Sequence, residues 1–273
     1  KLLLIEYADA FRIDLKTVEK NLIPFRNKKE VFFIGYPSSI FSYAKFAKEL
    51  GINDLSFKAI ISLGDKMFPH YRSTIENTFH TKIFDTYGGA EGLMIAGECS
   101  EHKYHILSSH VYVEILDTNG NIVPDGELGE VVVTGLDNFL MPLIRYKIGD
   151  LAIKSKKTSK CKCGRSLPII EKIIGRDTDI LYTPKFKILV VHFFTGIFEH
   201  FPEIKQFQVE QLEKGGKIHI KYIKGTNFST MILENIRNKI YARAKEEFPL
   251  DFKNVSEIIP SPSGKPQIIL RAY

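Results

Sequence analysis

The segment that decides the fold spans residues 57–91 and reads FKAIISLGDKMFPHYRSTIENTFHTKIFDTYGGAE. Its apolar runs Phe57–Ser62 and Lys82–Tyr87 have the length and composition of strands. A proline opens the intervening stretch Pro69–His80, which is typical of a helix. Strand–helix–strand spacing of this kind predicts a parallel βαβ unit. In such units the loops that leave the carboxyl ends of the strands carry the ligand site.

Helical and strand patterns extend on both sides of this segment. Upstream, a helix capped by Ser38–Ser39 is expected to run toward Leu50 and to end at Gly51. Downstream, the β-branched runs Val111–Leu116 and Val131–Thr134 flank the turn DTNGN, which predicts a hairpin. Together with short strands around residues 145–154, these runs predict a small antiparallel or barrel-like subdomain.

The last third of the chain predicts a separate small α+β unit. The charged link Gly175–Asp179, GRDTD, separates it from the preceding apolar segment. A helix is expected over Ser229–Glu247, because apolar residues recur on one face. Strands are predicted at Gln206–Leu212, Ile218–Ile223, Val255–Ile259 and Gln267–Leu270. The predicted domains are therefore residues 1–176 and 177–273.

The composition excludes several classes of protein. Hydrophobic residues make up 44% and charged residues 26%, which is typical of a globular chain and excludes a collagen-like or disordered one. No apolar run reaches the roughly 18 residues of a membrane span, so stable membrane insertion is not expected. The basic stretch 154–162 lacks interleaved aromatic residues, which argues against nucleic-acid binding. Three cysteines are too few for a disulfide framework and favour the reducing cytoplasm.

Two cysteine-containing stretches are candidates for a metal site. Cys161 and Cys163 form a C-x-C pair, and Cys99 precedes His102 and His105 in GECSEHKYHI. Three thiolates and one imidazole form a closed tetrahedral zinc site when they lie close together. Three ordinary reduced cysteines are the alternative, since C-x-C is tighter than typical zinc-ligand spacing. We expect zinc with His105 as the fourth ligand and keep His102 as the alternative.

Three further polar residues stand in glycine-containing loops. Glu91 in YGGAEG could hold magnesium, and Asp150 in RYKIGD could accept two hydrogen bonds from a ribose diol. Lys265 in SPSGK could reach a phosphate group. Taken singly, each residue is explained at least as well by an ordinary turn or a solvated loop.

The order of these stretches carries more information than each stretch alone. YGGAEG, RYKIGD, GRDTD and a terminal SGK loop, in this order, resemble the adenylate-forming (acyl-CoA synthetase) superfamily. MPLIRYKIGD and CKCGRSLPIIEKIIGRDTD are similar to phenylacetate–coenzyme A ligases and their relatives from capsular polysaccharide biosynthesis. The resemblance implies an α/β fold. It consists of the C-terminal portion of a nucleotide-binding domain, a βαβ unit with a distorted barrel, followed by a small α+β lid that swings about GRDTD.

The resemblance also implies a site for ATP or AMP. Gly64 and Asp65 resemble the segment that lies over the adenine. The strand end that flanks the adenine ring is matched by Asp85, Thr86 and Tyr87, and Gly88 is also expected to contact the nucleotide. Asp150 matches the carboxylate that binds the ribose diol, and Arg176 the arginine that also contacts the ribose. Glu91 matches the magnesium-binding glutamate. Lys265 matches the lid lysine that bridges the acyl carboxylate and the α-phosphate.

The implied function is AMP-forming ligation of a small carboxylic acid, with coenzyme A as the expected thiol acceptor. Ala90 and Thr178 depart from the usual hydroxyl and aspartate of the family pattern, and no Ser/Thr/Gly-rich phosphate loop precedes Gly64. We therefore expect a C-terminal fragment that is inactive by itself. The alternative is a catalytically silent, zinc-bearing binding module. A homodimer is left open.

Overall fold

The computed structural model describes residues 6–10, 12–28, 30–156, 160–258 and 267–273. Its internal contacts divide the chain into two units, each with its own hydrophobic core. The first unit contains Lys1–Ile148 and Ala152–Ile173, and the second contains Gly149–Leu151 and Ile174–Tyr273.

A nine-stranded sheet forms the framework of the first unit, although residues 149–151 and 174–176 of its strands belong to the second unit. Its strands are β1 (Phe32–Gly35), β2 (Ala59–Ser62), β3 (Ile83–Gly88), β4 (Met94–Glu98), β5 (Tyr104–Ile106), β6 (Val111–Leu116), β7 (Leu128–Gly135), β8 (Tyr146–Lys154) and β9 (Ile169–Arg176). They lie in the order β1-β2-β3-β4-β5-β9-β8-β7-β6. Strands β1 to β3 are parallel, whereas β3 pairs with β4, and β4 with β5, in antiparallel fashion. The sheet therefore changes from parallel to antiparallel at β3.

Helices cover one face of the parallel part of the sheet. Helices α2 (Pro37–Glu49) and α3 (Pro69–Phe79) pack there, and α1 (Leu15–Leu22) packs against α2. Side chains from these helices and strands form one buried core, which includes Ile40, Ile60, Ile75, Phe79 and Ile83. The predicted parallel βαβ unit is thus confirmed as β2-α3-β3.

The two helix starts show how proline acts at this position. The helix predicted from Pro69 is confirmed, and the proline is its first residue. The predicted serine cap of α2 is wrong, because Tyr36 precedes that helix and Pro37 is its first residue. Proline lacks the N–H that the first turn would leave unpaired, so it suits this position. The Ser39 hydroxyl instead donates to the Ala10 carbonyl at 2.8 Å.

The predicted hairpin between β6 and β7 is confirmed. In its turn, Asp117 accepts hydrogen bonds at 2.9 Å from the N–H groups of Asn119 and Asn121. The bond from Asn121 is the largest of the effects that hold the pKa of Asp117 below its usual value. The strands that the sequence assigned to a barrel-like subdomain continue the sheet that the βαβ unit begins.

Strand β1 lies at one end of this sheet. Its Phe33 side chain points into the core and contacts the rings of Phe57 and Phe79. On the opposite face, Phe32 and Ile34 are 52% and 58% exposed. One face of the outer strand is therefore covered by helices, while the other carries apolar side chains open to solvent.

The second unit is a small α+β structure. Its strands are β10 (Ile180–Tyr182), β11 (Ile188–Val190), β12 (Ile204–Gln211), β13 (Ile218–Lys224), β14 (Leu250–Asn254) and β15 (Ile269–Arg271). Strands β10 and β11 form a pair, and the other four form a sheet in the order β14-β13-β12-β15. The helices are α4 (Val191–Phe198) and α5 (Met231–Ala244). Across the described ranges, none of the helices has the length and apolar character needed to cross a bilayer.

One strand of this unit differs from the prediction. The strand expected at Val255–Ile259 lies instead at Leu250–Asn254, where it runs parallel to β13. The reason is that Leu250 and Phe252, two residues apart, pack against the core of the unit. Ile259 and Lys265 lie outside the described residues.

A substitution at Ile240 tests which face of α5 is buried. Replacing this fully buried residue by alanine is expected to lower the free energy of unfolding of the second unit by about 2–5 kcal/mol, because a cavity remains. Asn238→Ala, on the exposed side of the same helix, is the matched control, with a change within about 0.5 kcal/mol. Urea denaturation measures both, and equal losses would contradict the assigned face.

Candidate functional site

The loop between β3 and β4 fixes the carboxylate of Glu91. Its Oε1 accepts a hydrogen bond from the Tyr146 hydroxyl at 3.1 Å. Its Oε2 occupies the space that a Cβ at Gly89 would need, so a larger residue at this position would displace the Glu91 carboxylate. The Gly89 N–H donates to the Leu93 carbonyl at 2.9 Å and closes the hairpin. The predicted magnesium ligand is thus a half-buried carboxylate held against the backbone of its own loop.

Asp85 on β3 is enclosed, with only 6% of its surface exposed. The Ser62 hydroxyl donates to Oδ1 at 2.5 Å, and the Tyr104 hydroxyl donates to Oδ2 at 2.6 Å. Burial raises the pKa of the Asp85 carboxyl, although these two hydrogen bonds oppose the shift. Burial and the nearby Asp85 charge also raise the pKa of Tyr104, so its hydroxyl remains a donor at neutral pH.

The residues that follow Asp85 are also engaged within the sheet. The Thr86 hydroxyl donates to the Ser62 carbonyl at 2.8 Å, and the Tyr87 side chain is buried. A Cβ at Gly88 would collide with the Leu93 carbonyl. The Thr86 and Tyr87 side chains, which were predicted to flank an adenine, therefore contact the sheet and stabilise the end of β3.

The loop after β2 lies beside this strand end, because β2 and β3 are parallel and pair Ser62 with Asp85. Gly64 has a φ of 71°, which favours glycine, and a Cβ there would press against the Tyr36 ring. Asp65 is exposed, and its carboxylate accepts the N–H of the next residue at 2.7 Å. The structure thus brings Gly64 and Asp65 to the same edge of the sheet as the end of β3.

An ion pair beside β3 was not predicted from the sequence. Glu98 on β4 has a side chain that is only 3% exposed, and both its oxygens accept hydrogen bonds from Arg72 Nη2, at 2.9 and 2.8 Å. Arg72 Nη1 donates to the Ile83 carbonyl at 2.6 Å. Glu98 Oε2 also accepts the Asp85 N–H at 2.9 Å. The one sequence signal for this network is a carboxylate at the end of the apolar strand MIAGE.

Asp150 and Arg176, predicted to bind a ribose, are neighbours in the second unit. Arg176 Nε lies 3.4 Å from Asp150 Oδ1, and the two side chains are 61% and 15% exposed. Gly149, which precedes Asp150, has a φ of 78°, and this backbone conformation favours glycine. Because the carboxylate accepts hydrogen bonds and the guanidinium donates them, the pair can bind both hydroxyls of a diol.

The charged link between the predicted domains is a short 3-10 helix, Asp177–Asp179. Burial raises the pKa of the Asp179 carboxyl, while the Thr178 hydroxyl and the Arg176 charge act in the opposite direction. Lys265, the predicted lid lysine, lies outside the described residues.

The predicted metal ligands come together in the first unit. Cys99, His105, Cys161 and Cys163, here termed the Cys3His cluster, place their ligand atoms within 4.8 Å of one another. Cys99 Sγ lies 3.7 Å from Cys161 Sγ, and Cys163 Sγ lies 3.3 Å from His105 Nε2. Burial raises the pKa of the Cys163 thiol, but hydrogen bonds from the Arg165 backbone and the neighbouring thiols outweigh it and lower the pKa to about 6. Such a thiol releases its proton readily, and the thiolate that remains is the form that binds a metal.

The structure distinguishes the two candidate histidines. His105 Nδ1 lies 3.1 Å from the Leu167 carbonyl, so a proton on Nδ1 donates there and Nε2 faces the cluster as an acceptor. His102, the alternative ligand, pairs through Nδ1 with Glu98 Oε1 at 3.2 Å and is not part of the cluster. Among the described residues, the tetrahedral set is therefore completed by His105.

Comparison with known proteins gives partial matches. No protein-family model matches the chain. Phenylacetate-coenzyme A ligase from Pseudomonas putida is 32% identical over 170 residues, which cover 60% of this chain and 38% of the relative. Protein CapK from Staphylococcus aureus is 25% identical over 234 residues, covering 85% of this chain and 50% of the relative. The chain thus spans at most half the length of these relatives.

Solved structures share the fold over most of the chain. A 2-hydroxyisobutyryl-CoA ligase with a bound acyl-AMP has a TM-score of 0.71 and 17% identity, covering 93% of this chain and 57% of that one. A benzoate CoA ligase from Burkholderia xenovorans LB400 has a TM-score of 0.62 and 18% identity, covering 92% and 52%. The chain therefore shares its fold with these ligases and is similar over part of its length to phenylacetate-coenzyme A ligase, which agrees with the resemblance seen in the order of its motifs.

Proposed function

We propose that this chain provides part of an ATP-dependent carboxylic acid ligase that forms an acyl-adenylate. The observation that carries the proposal is the pairing of Asp150 with Arg176, which come from separate motifs and together offer acceptors and donors for a ribose. The partial similarity to phenylacetate-coenzyme A ligases supports the same reaction class. The proposed substrates are a small carboxylic acid and ATP.

In the proposed reaction, a carboxylate oxygen of the acid attacks the α-phosphorus of ATP, and the bond to pyrophosphate breaks. Asp150 and Arg176 hold the nucleoside, so that the α-phosphate has a defined position. Lys265 stabilises the negative charge on the oxygens of the α-phosphate in the transition state. In the first unit, the loop at Gly64–Asp65 and the strand end at Asp85–Gly88 are the segments proposed to contact the nucleotide base.

Glu91 is the proposed magnesium ligand. The Tyr146 hydroxyl donates to one oxygen of its carboxylate, and the other oxygen lies against the backbone of Gly89. One protein carboxylate together with phosphate oxygens is a typical donor set for magnesium. When bound, the ion supplies positive charge to the phosphate groups. Glu91 would supply its carboxylate to that ion, while its Oε1 accepts the hydrogen bond from the Tyr146 hydroxyl.

The proposed acceptor is the thiol of coenzyme A, which would displace AMP and give a thioester. The names of the curated relatives and the coenzyme A bound to one 2-hydroxyisobutyryl-CoA ligase structure support this choice. ATP, coenzyme A and reduced cysteines are all consistent with the cytoplasm as the proposed compartment. We propose that the chain alone binds nucleotide but does not adenylate an acid, because it has no Ser/Thr/Gly-rich loop before Gly64 for the outer phosphates.

The second proposal concerns the Cys3His cluster, which we assign to structural zinc. Three thiols and an imidazole nitrogen within 4.8 Å fit closed tetrahedral coordination. If zinc binding were the whole function, the protein would be a catalytically silent binding module. Exchange of pyrophosphate into ATP by the complete gene product distinguishes the two functions, since only a ligase catalyses it.

Asp150→Asn tests the ribose site. We expect AMP to bind about 10- to 100-fold more weakly, because the amide loses a charge-assisted hydrogen bond. The wild type should also prefer AMP to 2′-deoxy-AMP, and the variant should lose this preference. Calorimetry measures both affinities, with Asp251→Asn on β14 as the control. A preference that survives in Asp150→Asn would remove this carboxylate from the diol site.

Lys265→Ala tests the catalytic lysine in the complete gene product. The rate of pyrophosphate exchange should fall by at least about 100-fold, with nucleotide affinity nearly unchanged, because the lysine acts mainly on the transition state. The exposed Lys217→Ala is the matched control and should exchange at the wild-type rate. Exchange that is equally fast in Lys265→Ala would exclude the lysine from the mechanism. Rapid exchange by the 273-residue chain alone would refute its proposed inactivity.

Metal analysis tests the zinc assignment. The chain purified without added metal should contain about one zinc per molecule, held by the Cys3His cluster. Cys163→Ser and His105→Ala should lose most of it, because each removes a ligand. His102→Ala is the discriminating control and should retain zinc, since His102 pairs with Glu98. Wild-type protein without zinc would refute the assignment.

A further inference from the structure

The hairpin formed by β4 and β5 connects two of the candidate sites within the first unit. Its strands pair Glu98 with Tyr104, so these two side chains, here termed the clamp pair, are cross-strand neighbours. Cys99 directly follows Glu98, and His105 directly follows Tyr104. Successive side chains along a strand point to opposite sides. On one side of the hairpin end, Glu98 and Tyr104 therefore contact β3, and on the other side Cys99 and His105 belong to the Cys3His cluster.

The clamp pair binds residue 85 at two places. Glu98 Oε2 accepts the Asp85 N–H at 2.9 Å, and the Tyr104 hydroxyl donates to Asp85 Oδ2 at 2.6 Å. The backbone pairing between β3 and β4 is recorded from Thr86 and Gly97 onward. At residue 85 the side chain of Glu98 therefore takes the role that a strand carbonyl has elsewhere in the ladder. Asp85, the first residue of the predicted nucleotide-binding segment of β3, is thus held by two side chains of the hairpin.

The opposite side of the hairpin end is held by the cluster. Cys99 faces Cys161 at 3.7 Å, and His105 faces Cys163 at 3.3 Å. Strand β5 has only three residues, so its own ladder contributes few hydrogen bonds. A metal that binds all four ligands would fix Cys99 and His105 in space and, through the adjacent residues, would fix Glu98 and Tyr104.

We propose that Glu98 and Tyr104 are positioning residues that make nucleotide binding at the end of β3 depend on metal occupancy of the Cys3His cluster. The inference rests on the proposed nucleotide and metal sites and adds the coupling between them. Without the metal, the cluster side of the hairpin end keeps the thiol contacts and the His105–Leu167 hydrogen bond, and Arg72 still holds Glu98 on the other side. The partners of the buried groups of Asp85 are then less firmly placed than with the metal bound. Metal and nucleotide then favour the same arrangement of the hairpin, so each strengthens the binding of the other.

Affinity for AMP in the zinc-loaded and zinc-free chain measures the coupling. Removal of zinc by a chelator should weaken AMP binding to the wild type by about tenfold. Tyr104→Phe keeps all four metal ligands but removes the hydroxyl that reaches Asp85. Its zinc-loaded form should already bind AMP about tenfold more weakly, and zinc removal should then add little. Tyr112→Phe, an exposed tyrosine on β6, is the matched control and should behave as the wild type.

Two further measurements separate the coupling from the sites on which it rests. Saturating AMP should slow zinc release to a chelator in the wild type and much less in Tyr104→Phe. Backbone hydrogen exchange over residues 83–88 should become faster when zinc is removed. This measurement requires no nucleotide.

The outcomes that refute the proposal differ from those that refute the sites. Unchanged exchange at 83–88 after zinc removal, or losses from Tyr104→Phe and zinc removal that simply add, would overturn the coupling. Failure of the zinc-loaded wild type to bind AMP would refute the nucleotide site, and the hydrogen-exchange result would still decide whether the metal fixes β3. A chain that binds no zinc would overturn the metal site and the coupling together.

Discussion

Strand β3 has a parallel neighbour on one edge and an antiparallel neighbour on the other, and the candidate sites of the first unit depend on this change. The parallel pairing with β2 brings two loops to the same edge of the sheet. The antiparallel pairing with β4 requires only a short hairpin, whereas another parallel strand would need a long crossover. The short hairpin in turn holds Glu91 against its own backbone, and it returns the chain so that Glu98 and Tyr104 can reach Asp85.

This arrangement buries two carboxylates close together. Asp85 and Glu98 would repel each other in a poorly solvated environment, and each would lose its hydration. Arg72 compensates by binding both oxygens of Glu98, while hydroxyl groups and not a cation serve the oxygens of Asp85. The raised pKa of Asp85 is the remaining cost of that burial. The network therefore connects α3, β2, β3, β4 and β5 through hydrogen bonds. Because hydrogen bonds are directional, they fix the relative orientation of these elements as well as their separation.

Local signals made part of this structure predictable. The proline that begins α3, the NG turn between β6 and β7 and the apolar face of α5 each depend on residues close in sequence. The cysteine and histidine spacing predicted the members of the cluster but left two histidines open, and His105 was decided by which side of β5 it faces. The remaining contacts join residues that are distant in sequence, so no spacing indicates them. They involve Ser62, Arg72, Glu98, Tyr104 and Tyr146.

The outer strand of the large sheet has consequences for handling the chain in solution. Strand β1 has one strand neighbour among the described residues, and its open face carries Phe32 and Ile34. A strand edge with free N–H and C=O groups beside exposed apolar side chains is a template on which other extended chains can add. For the part of the chain that the structure describes, β1 is therefore the expected starting point of any self-association at high protein concentration, and no unfolding of the core would be needed. A charged residue in place of Ile34 would disfavour the addition of another strand at that edge and would leave the side of β1 that packs on the core unchanged.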